Sequence, residues 1–535
     1  MSAYDHTEIK VRDARGGAGM VSSGSGYASE AGAQVLRDGG NAVDAAAATS
    51  LALSVAATPY SGIGGGGFML VHMAERGESL MLDYRENSPA GAPADLFTLD
   101  ANGEVTGEEN YLGVKAPAVP GTFAGMALAL EKFGTMTLAQ VAKHAVAYGR
   151  DGFAVTPFLG WVLNNNVDLA ETKFARSDEA SEIWLKSDGS SYKTGEIFHN
   201  TLMAKTIESV ASKGVGEFYE GSVAQSAGKY MAANGGPMRA SDFAAYRPIL
   251  RTPIQGTFKG LRYVTSAPPS SGGIAMQQLY RLLEPYDLAA TGHNTVETID
   301  TMCKAYKQVY AARDLIADPD YEPIDINKLT SDGFLTGLRQ GAGLSSGSSG
   351  GDGSQTSHFS AVDSKGNAVA STESLEAFFG SGIVIPGTGV FLNNTMGDFD
   401  PVPGRLNSIV GGKRPRSAMS PIIFLRDGKP VLVVGSAAGP RIITVVSQVV
   451  MNVLVHGMDI QSAIVAPRFH FDGGELHIEG RIGQDVRDGL TARDYKIAVA
   501  DDITFEFGGV HAITVGPDGT HGGADPRRDG VAKAQ

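Results

Sequence analysis

The alternation of apolar and polar positions predicts helices and strands in the N-terminal part of the chain. Apolar residues at helical spacing indicate a helix over 28–37, which ends at Gly39-Gly40 as glycine-capped helices do. An Ala-rich helix is predicted over about 42–57. A glycine-rich loop over 61–67 then leads into an apolar strand, and residues 79–84 carry a further strand signal.

Helical patterns dominate residues 120–316, most clearly over 274–284 and 295–315. After residue 355 the pattern changes to strands joined by turn signals. The predicted segments of this part are strands over 356–363, 367–372, 421–425 and 430–434, a helix over 441–455, and strands near 503–507 and 510–515. Helices combined with paired strands predict an α/β fold of layered sheets and not a barrel.

A run rich in glycine and serine separates these two parts. Residues 341–355 read GAGLSSGSSGGDGSQ. This composition predicts a flexible linker, because such a segment loses much conformational entropy when one backbone conformation is fixed.

Composition narrows the class of protein. The chain has 535 residues and a mass of 55.8 kDa, and its 42% of apolar residues exclude a disordered chain. The 44 basic and 58 acidic residues give a net charge of −14. This charge argues against nucleic-acid binding, because phosphates require a basic face. The single cysteine, Cys303, excludes an intramolecular disulfide, and its apolar surroundings in the sequence favour a core position.

No segment of the sequence is typical of a targeting signal or a membrane span. Residues 1–30 hold no apolar core of signal-peptide length, and the most apolar run, 45–58, is too short to cross a bilayer. We therefore expect a soluble, cytoplasmic protein with no membrane contact, or a periplasmic or secreted one if a signal was removed. The histidines lack metal-ligand spacing, so neither a metal nor a cofactor is expected.

The end of the linker carries the strongest chemical signal. The predicted linker stops at Gln355, and the strand that follows begins with the hydroxyl residue Thr356. Cleavage before Thr356 would give it a free α-amine, which can accept the proton of its own hydroxyl. An amine of pKa near 8 suits this task at neutral pH. The alternative is an ordinary linker that happens to precede a strand.

Several blocks of the sequence then point to one family. Residues 356–363 read TSHFSAVD and are followed by GNAVA over 366–370. Further matching blocks lie at 39–46, 62–69, 83–86, 268–273, 392–398, 413–415 and 523–530. Together they resemble the γ-glutamyltransferases, a family of N-terminal-nucleophile hydrolases. The resemblance implies a four-layer αββα sandwich, made as one proenzyme that cleaves itself between Gln355 and Thr356.

The resemblance also implies which residues carry out the reaction. Thr356 is the expected nucleophile, and Ser374 stands where the family has a threonine that hydrogen-bonds it. The backbone N–H groups of Ala438 and Gly439 are expected to form the oxyanion hole. The family usually has glycine at the first of these positions, so Ala438 serves only where its φ angle tolerates a Cβ.

The same resemblance implies how the amino-acid end of a γ-glutamyl substrate binds. Arg85 is expected to hold the α-carboxylate through its guanidinium fork, with help from Ser417, and Asp398 is expected to bind the α-ammonium. Without the resemblance, Arg85 and Asp398 would be interpreted as ordinary salt-bridged residues.

Three residues depart from the family pattern at substrate-binding positions. Ala418 replaces a second carboxylate-binding serine, Glu376 replaces an asparagine, and Thr395 replaces a polar or acidic ammonium ligand. Glu376 either takes over the ammonium contact or repels the α-carboxylate and shifts the acyl preference. The segment 399–413 is also short and lacks the family's covering tyrosine, which predicts an open site where hydrolysis competes well with transfer.

Three weaker motifs receive structural interpretations. The glycines at 64–67 lack a Lys-Ser/Thr ending, so backbone packing near the acyl site is preferred to phosphate binding. His358 is expected to be structural or substrate-facing, since the α-amine already serves as the base. Residues 268–273 are interpreted as a turn without a catalytic role.

The sequence leaves three functional hypotheses. The first is a γ-glutamyltransferase or glutathione hydrolase that transfers the acyl group to water, an amino acid or a peptide. The second is an amidase or acylase for a glutaryl or β-lactam side chain, motivated by Ala418, Glu376 and Thr395. The third is an uncleaved, silent homologue that binds a ligand in the same pocket.

The expected organisation follows from self-cleavage. Residues 1–355 would form a large fragment and residues 356–535 a small one, intertwined in a single structural domain. The fragments would pair as a heterodimer, with a dimer of these as a further possibility. The expected partner is a small γ-glutamyl molecule such as glutathione, and no nucleic acid.

Overall fold

The structure is a computed structural model that describes residue 7 and residues 9–165, 169–340 and 355–535. The predicted linker lies outside the described residues except for Gln355. The strands in the described residues are β1 Ala14–Gly16, β2 Met20–Ser23, β3 Gly66–Met73, β4 Glu78–Asp83, β5 Phe153–Ala154, β6 Ile197–Phe198, β7 Ile249–Arg251, β8 Ile254–Phe258, β9 Leu261–Thr265, β10 Gln355–Val362, β11 Ala368–Glu376, β12 Val384–Ile385, β13 Val390–Phe391, β14 Ile422–Arg426, β15 Lys429–Ser436, β16 Phe469–His470, β17 Leu476–Glu479, β18 Ile497–Ala500, β19 Val510–Gly516, β20 Gly519–Ala524 and β21 Val531–Ala534.

The helices in the same ranges are α1 Gly26–Arg37, α2 Ala42–Ala56, α3 Thr122–Phe133, α4 Leu138–Asp151, α5 Pro157–Asn165, α6 Asp178–Trp184, α7 Thr201–Lys213, α8 Gly216–Tyr219, α9 Ser222–Ala233, α10 Ala240–Ala245, α11 Gly272–Leu283, α12 Leu288–Thr291, α13 Val296–Ala311, α14 Ile326–Leu329, α15 Asp332–Arg339, α16 Ile442–Leu454, α17 Ile460–Val465 and α18 Gln484–Thr491. Within the described ranges, none of them is long and apolar enough to cross a membrane.

Two antiparallel sheets of seven strands form the centre of the described structure. The first sheet has the strand order β21-β2-β10-β11-β3-β4-β7, and the second has the order β1-β20-β19-β15-β14-β9-β8. The sheets face each other closely, since a Cβ on Gly435 of β15 would lie 2.3 Å from the ring of His358 on β10. Only a glycine fits at this contact.

Helices cover the outer face of each sheet. Strand β3 shows the arrangement, because successive side chains of a strand point to opposite faces. Met69 and Val71 pack in the apolar cluster that contains α1 and α2, whereas Phe68 and Leu70 pack toward the second sheet. Helices α11, α16 and α17 pack on the second sheet. The predicted αββα sandwich is thereby confirmed.

Both sides of the predicted cleavage point contribute to the first sheet. Strand β10 pairs with β2 from the N-terminal part, with Phe359 opposite Ser23, and β11 pairs with β3, with Ser374 opposite Gly66. Strands from the two parts are interleaved in this sheet, and the second seven-stranded sheet also contains strands from both parts, so neither part holds a complete seven-stranded sheet of its own.

The sequence predictions of local structure hold in most places and fail in two. The hairpin around residues 364–366, the hairpin at Asp427-Gly428 and the helices near 28–37, 42–57 and 441–455 are confirmed. The helical interpretation of 120–316 missed β7, β8 and β9, which pair at the edges of both sheets. The strand predicted near 503–507 is wrong, because Phe505–Phe507 forms a 3-10 helix. Cys303 is buried in the core, as predicted.

Candidate active site

Thr356 lies at the start of β10, buried between the two sheets. It is 1% exposed and stands opposite Ser374 of β11, directly after an irregularity in the strand pairing at Gln355. The two hydroxyl oxygens, Thr356 Oγ1 and Ser374 Oγ, are 3.3 Å apart. The structure therefore places the predicted nucleophile in contact with the predicted partner.

Ser374 and Arg528 hold the chain around the predicted cleavage point. Ser374 Oγ donates to the carbonyl oxygen of Gln355 at 2.6 Å, while Arg528 donates to the carbonyl oxygen of Thr356 at 2.8 Å and to Gln355 Oε1 at 2.9 Å. A hydroxyl that donates to a carbonyl oxygen increases the electrophilic character of its carbon. The hydroxyl of Ser374 thus polarises the Gln355–Thr356 peptide bond, which is the bond predicted to be cleaved.

The loop after β15 supplies backbone donors beside the nucleophile. Gly439 lines the same cavity as Thr356, and neither the Ala438 nor the Gly439 N–H donates to an acceptor within the described structure. Ala438 has a φ of +100°, a left-handed conformation that favours glycine. The alanine therefore takes the backbone geometry of a glycine at a cost of about 1 kcal/mol.

The glycines at 64–67 pack against backbone and not against a phosphate. A Cβ on Gly65 would lie 2.0 Å from the carbonyl oxygen of Ser374, and one on Gly67 would lie 2.2 Å from that of Thr372. No side chain fits at these distances. The loop thus supports β11 directly behind the nucleophile, as the packing interpretation predicts.

A cavity of about 620 Å³ opens from Thr356 toward the surface. It brings together most of the predicted site residues with several that the sequence did not indicate. The predicted residues on its wall are Thr356, Glu376, Asp398, Ser417, Ala418 and Gly439, and the additional ones include Asn110, Tyr111, Arg313, Arg405, Asn407 and Arg416.

Arg85 lies behind this wall and not on it. Its guanidinium forms an ion pair with Asp398 and a second one with Glu86 at 3.4 Å, and it is 1% exposed. Its Nε has no hydrogen-bond acceptor within the described residues. Burial disfavours the charge of Arg85, but the carboxylates of Asp398, Glu86 and Glu376 outweigh it and raise the pKa. Asp398 thus separates Arg85 from the cavity.

The residues that depart from the family pattern occupy different places. Glu376 lines the cavity with a φ of +78°, and its backbone N–H donates to Ser374 Oγ at 2.8 Å. Thr395 is fully buried, and its hydroxyl donates to Glu86 at 3.0 Å. Glu376 therefore lies on the cavity wall, whereas Thr395 contacts Glu86 behind the site.

Ser417 and Ala418 form one side of the cavity through contacts with the turn at 268–273. Ser271 donates to the carbonyl oxygen of Ser417 from its backbone N–H at 2.8 Å and from its hydroxyl at 2.7 Å. The Ser417 hydroxyl accepts from the Met419 N–H at 3.2 Å. The turn therefore holds Ser417 in place, in agreement with its structural interpretation.

Arg313 and Arg416 were not indicated by any motif. Arg313 follows α13 on a short 3-10 turn, and its Nε donates to the Ser271 hydroxyl at 3.0 Å. Arg416 pairs with Asp314 at 3.0 Å and donates to the carbonyl oxygen of Arg313. Burial and the nearby charge of Arg416 lower the pKa of Arg313 to about 10, so it remains a cation at neutral pH. Their relevance arises from tertiary contacts, which no sequence spacing reveals.

The short segment after Phe399 still forms part of the cavity wall. Asp400 and Ser408 pair as an isolated bridge, and Arg405 forms an ion pair with Asp400 at 3.1 Å. Tyr111 from the N-terminal part lines the cavity and packs against Gly397, where a Cβ would lie 2.6 Å from its ring. An aromatic ring therefore borders the site although 399–413 contains no tyrosine.

His358 lies between the sheets, away from the cavity wall. Its ring nitrogens hydrogen-bond the hydroxyls of Thr372 at 2.8 Å and Ser360 at 3.1 Å, and burial lowers its pKa. A buried neutral imidazole with two hydroxyl partners fits the structural alternative. Within the described ranges, no group of three His, Cys, Asp or Glu side chains is placed to hold a metal ion.

Comparison with known proteins shows to which family the chain belongs. The family model described as Gamma-glutamyltranspeptidase matches residues 28–535. This chain belongs to the gamma-glutamyltranspeptidase family. Among its relatives, the glutathione hydrolase proenzyme of Escherichia coli (strain K12) is 36% identical over 98% of this chain and 93% of that protein.

Further relatives and similar solved structures are named either as acylases or as gamma-glutamyltranspeptidases. The Acylase ACY 1 proenzyme of Pseudomonas sp. (strain V22) is 34% identical over 98% of this chain and 94% of that protein. The crystal structure of a cephalosporin acylase from Bacillus halodurans superimposes with a TM-score of 0.86 at 26% identity, covering 100% and 99% of the two chains. The gamma-glutamyltranspeptidase of Helicobacter pylori matches with a TM-score of 0.56 at 33% identity, over 60% of this chain and 90% of that one.

Proposed function

We propose that this protein is a self-processing γ-glutamyltransferase that hydrolyses γ-glutamyl amides such as glutathione and also passes the acyl group to amino acids or peptides. One observation carries the proposal. The hydroxyl of Thr356, which contacts Ser374, opens onto the same cavity as Asp398 and the Gly439 backbone. Nucleophile, oxyanion donor and an anion for the substrate ammonium thus share one cavity.

Self-cleavage follows from the contacts at the Gln355–Thr356 bond. Thr356 Oγ1 adds to the carbonyl carbon of Gln355, whose oxygen accepts from Ser374. The C–O bond forms as the C–N bond breaks, and the released nitrogen takes the hydroxyl proton. Water then hydrolyses the ester, leaving a carboxylate on Gln355 and a free α-amine on Thr356. Fragments 1–355 and 356–535 are expected to stay together because both contribute hydrogen-bonded neighbouring strands to each seven-stranded sheet.

Turnover uses the new α-amine. It accepts the Thr356 hydroxyl proton as the oxygen attacks the γ-carbonyl carbon, and the N–H groups of Ala438 and Gly439 stabilise the oxyanion. The resulting α-ammonium gives its proton to the leaving amine, and a γ-glutamyl ester remains on Thr356. Water or an amine then attacks this ester and regenerates the hydroxyl.

Intact mass spectrometry of purified protein tests the proposal. A threonine N-terminal nucleophile requires cleavage before Thr356. In proportion to fragment length, the 55.8 kDa chain would then give fragments of about 37 and 19 kDa. Thr356→Ala should remain one chain without activity, whereas Thr356→Ser, which keeps the hydroxyl, should still cleave. The cleaved protein should release nitroaniline from γ-glutamyl-p-nitroanilide. An unaltered chain that never cleaves would contradict the proposal.

An acylase is the second candidate, favoured by the relatives named as acylases. The carboxylates of Glu376 and Asp398 on one cavity wall favour an acyl group that carries an ammonium, which γ-glutamyl has and glutaryl lacks, so they support the first candidate. Comparison of γ-glutamyl with glutaryl anilides separates the two functions. Turnover of the glutaryl compound alone would establish the acylase.

A further inference from the structure

Arg528 contacts the chain on both sides of the predicted cleavage point. One of its Nη nitrogens donates to the carbonyl oxygen of Thr356 at 2.8 Å, and the other donates to the side-chain oxygen of Gln355 at 2.9 Å. The guanidinium group is planar and rigid, so it fixes the relative position of two acceptors that it binds at once. The Gln355–Thr356 peptide bond lies between these acceptors, and Arg528 therefore restrains the chain on each side of it.

The Arg528 side chain is itself held in one place. It is 1% exposed, and its guanidinium carbon lies 5.1 Å from the centroid of the Tyr60 ring and 5.7 Å from that of Phe158. Its stem passes close to Gly509, where a Cβ would lie 2.9 Å from Arg528 Cδ. Burial lowers the pKa of Arg528 to about 10, so the group remains a cation at neutral pH. Two charged donors with little freedom to rotate thus face the cleavage point.

Gln355 is bound through two different groups. Its carbonyl oxygen accepts from Ser374 Oγ at 2.6 Å, while its side-chain oxygen accepts from Arg528. The residue is 6% exposed, and the strand pairing is irregular between Gln355 and Thr356. Because the backbone departs from regular strand geometry at this point, the pairing of β10 with β11 does not by itself fix the position of the Gln355 carbonyl carbon. The contacts with Ser374 and Arg528 supply this restraint.

The two contacts have different roles in an attack by Thr356 Oγ1. Ser374 binds the oxygen of the carbonyl group that is attacked, so it acts on the reacting atoms. Arg528 binds the chain on either side of them and holds Gln355 and Thr356 in one relative orientation, on which the rate of an intramolecular attack depends strongly. The identity of residue 355 matters as well, because a side chain without an oxygen would leave a buried donor of Arg528 without this acceptor.

We propose that Arg528 is a positioning residue for self-cleavage and that it recognises the Gln355 side chain, so that the residue before Thr356 determines the rate of cleavage. The inference rests on the proposed self-cleavage and names the contact that controls it. The contact with Gln355 joins the two future fragments and serves this step. The contact with the Thr356 carbonyl oxygen lies within fragment 356–535 and does not depend on the bond that is cleaved.

The rate of cleavage in newly made protein tests this inference. Cell-free translation with labelled methionine, followed on gels over time, measures the conversion of one chain into two fragments. Gln355→Met keeps the length of the side chain but has no oxygen, so it should lower the rate constant about 10- to 100-fold, the range of a lost charge-assisted hydrogen bond. Gln355→Glu keeps an oxygen acceptor and should stay within about threefold of the unaltered rate, a rescue that a merely space-filling role of Gln355 would not distinguish from Gln355→Met.

A double-mutant cycle connects this effect to Arg528. Arg528→Met should also slow cleavage, and in that chain Gln355→Met should lower the rate by a further factor of about two or less, because the contact is already lost. Arg528→Lys keeps the charge without the rigid pair of donors and should restore part of the rate. Because the Gln355 variants leave the buried arginine unaltered, they test the contact even where Arg528→Met does not fold.

Gln255 and Arg262 provide the matched control, since Arg262 donates to Gln255 Oε1 at 3.2 Å on the exposed edge pair of the second sheet. Gln255→Met and Arg262→Met remove the same type of contact at a distance from the cleavage point, and each should change the cleavage rate less than about twofold. Equal rates in Gln355→Met and the unaltered chain overturn the inference. An effect of Gln355→Met that is equally large with and without Arg528 also overturns it.

Measurements of activity separate failure of this inference from failure of the proposed function. Cleavage that depends on Gln355, in a mature protein that hydrolyses no γ-glutamyl anilide, would contradict only the proposed activity. Cleavage and hydrolysis by the unaltered chain, with the same cleavage rate in all Gln355 variants, would overturn only the inference. An unaltered chain that never cleaves would contradict both.

Discussion

Two clusters of buried charge lie near the nucleophile and are built differently. The C-terminal cluster consists of Arg468, Glu479, Asp525 and Arg527, and the headgroup cluster consists of Arg85, Glu86, Glu376 and Asp398. Arg528, next to the first cluster in sequence, donates to the carbonyl oxygen of Thr356. Asp398 and Glu376 of the second cluster lie on the cavity wall with Thr356.

The C-terminal cluster is closed. Arg527 makes two hydrogen bonds of 2.6 Å to Glu479 and a third contact of 3.1 Å to Asp525, and Arg468 pairs with Asp525 at 2.7 Å. All four residues are at most 1% exposed. Burial disfavours the Asp525 carboxylate, but Arg468 and Arg527 outweigh it and hold its pKa well below the usual range.

The headgroup cluster is open at one side. The Asp398 side chain is 23% exposed, whereas the Glu479 and Asp525 carboxylates of the closed cluster are fully buried. Burial raises the pKa of Glu86 although the charge of Arg85 opposes it. The cluster therefore has three carboxylates around one arginine, and it is accessible from the cavity at Asp398. Carboxylates that are all fully buried against arginines indicate a structural role, and a carboxylate exposed to a cavity indicates a binding site.

The largest expected effect is a loss of folding stability when a residue of the closed C-terminal cluster is replaced. Glu479→Gln leaves Arg527 buried without its main carboxylate, so the free energy of unfolding should fall by about 3–5 kcal/mol. Urea unfolding measures this change. Glu75→Gln, at an exposed site, should change it by less than about 0.5 kcal/mol. An equally small change in Glu479→Gln would show that the closed cluster contributes little to stability.

The buried carboxyl group of Glu373 differs from those of both clusters, because its hydrogen-bond partners are neutral hydroxyls. Glu373 accepts hydrogen bonds of 2.7 Å from the Ser50 and Ser61 hydroxyls, and burial raises its pKa to about 7 despite them. The folded protein thus holds a proton that the unfolded chain releases near pH 4.5. The contribution of Glu373 to stability is therefore full below about pH 4.5 and is lost as the pH rises to about 7.

Glu373→Gln removes this titration. The unaltered protein should lose up to about 3 kcal/mol more than Glu373→Gln between pH 4.5 and 7.5, from about 1.4 kcal/mol for each unit of pKa shift. Unfolding in urea at a series of pH values measures the difference between the two proteins. Parallel curves would mean that Glu373 is ionised in the fold, as the carboxylates of the closed cluster are.

The sequence predicts some parts of the fold better than others. A feature that depends on one short stretch of chain can be recognised in the sequence, whereas a feature that depends on distant residues cannot. The β10–β11 hairpin is predictable, since alternation and the turn at 364–366 lie in one short stretch. Strands β8 and β9 escape detection because polar residues such as Gln255 and Arg262 occupy the exposed side of an edge pair. Short edge strands of this kind resemble loops in sequence.

The candidate active site also contains residues that the sequence predicts and residues that it does not. Thr356 and Ser374 were predicted from blocks of the chain, and the structure places them in contact. Arg313 falls within a stretch predicted as helix, and its importance depends on where α13 ends and on Ser271, 42 residues away. A relation of this kind exists only in the folded chain. The resemblance implied that Arg85 holds the substrate α-carboxylate, and the structure shows it in an ion pair with Asp398.

The smallest expected effect is a rise in KM when a residue of the open headgroup cluster is replaced. Asp398→Asn keeps the shape of the side chain but removes the charge that faces the substrate ammonium, so KM for γ-glutamyl-p-nitroanilide should rise about 10- to 100-fold, equivalent to about 1.4–2.7 kcal/mol. Glutaryl-p-nitroanilide has no ammonium, and any turnover of it should not decrease. Because Arg85 keeps Glu86 as a partner, the free energy of unfolding should change by less than it does in Glu479→Gln. Steady-state kinetics with both anilides, beside urea unfolding of both variants, measures these effects. A stability loss as large as that of Glu479→Gln with an unchanged KM would mean that the open cluster is as structural as the closed one.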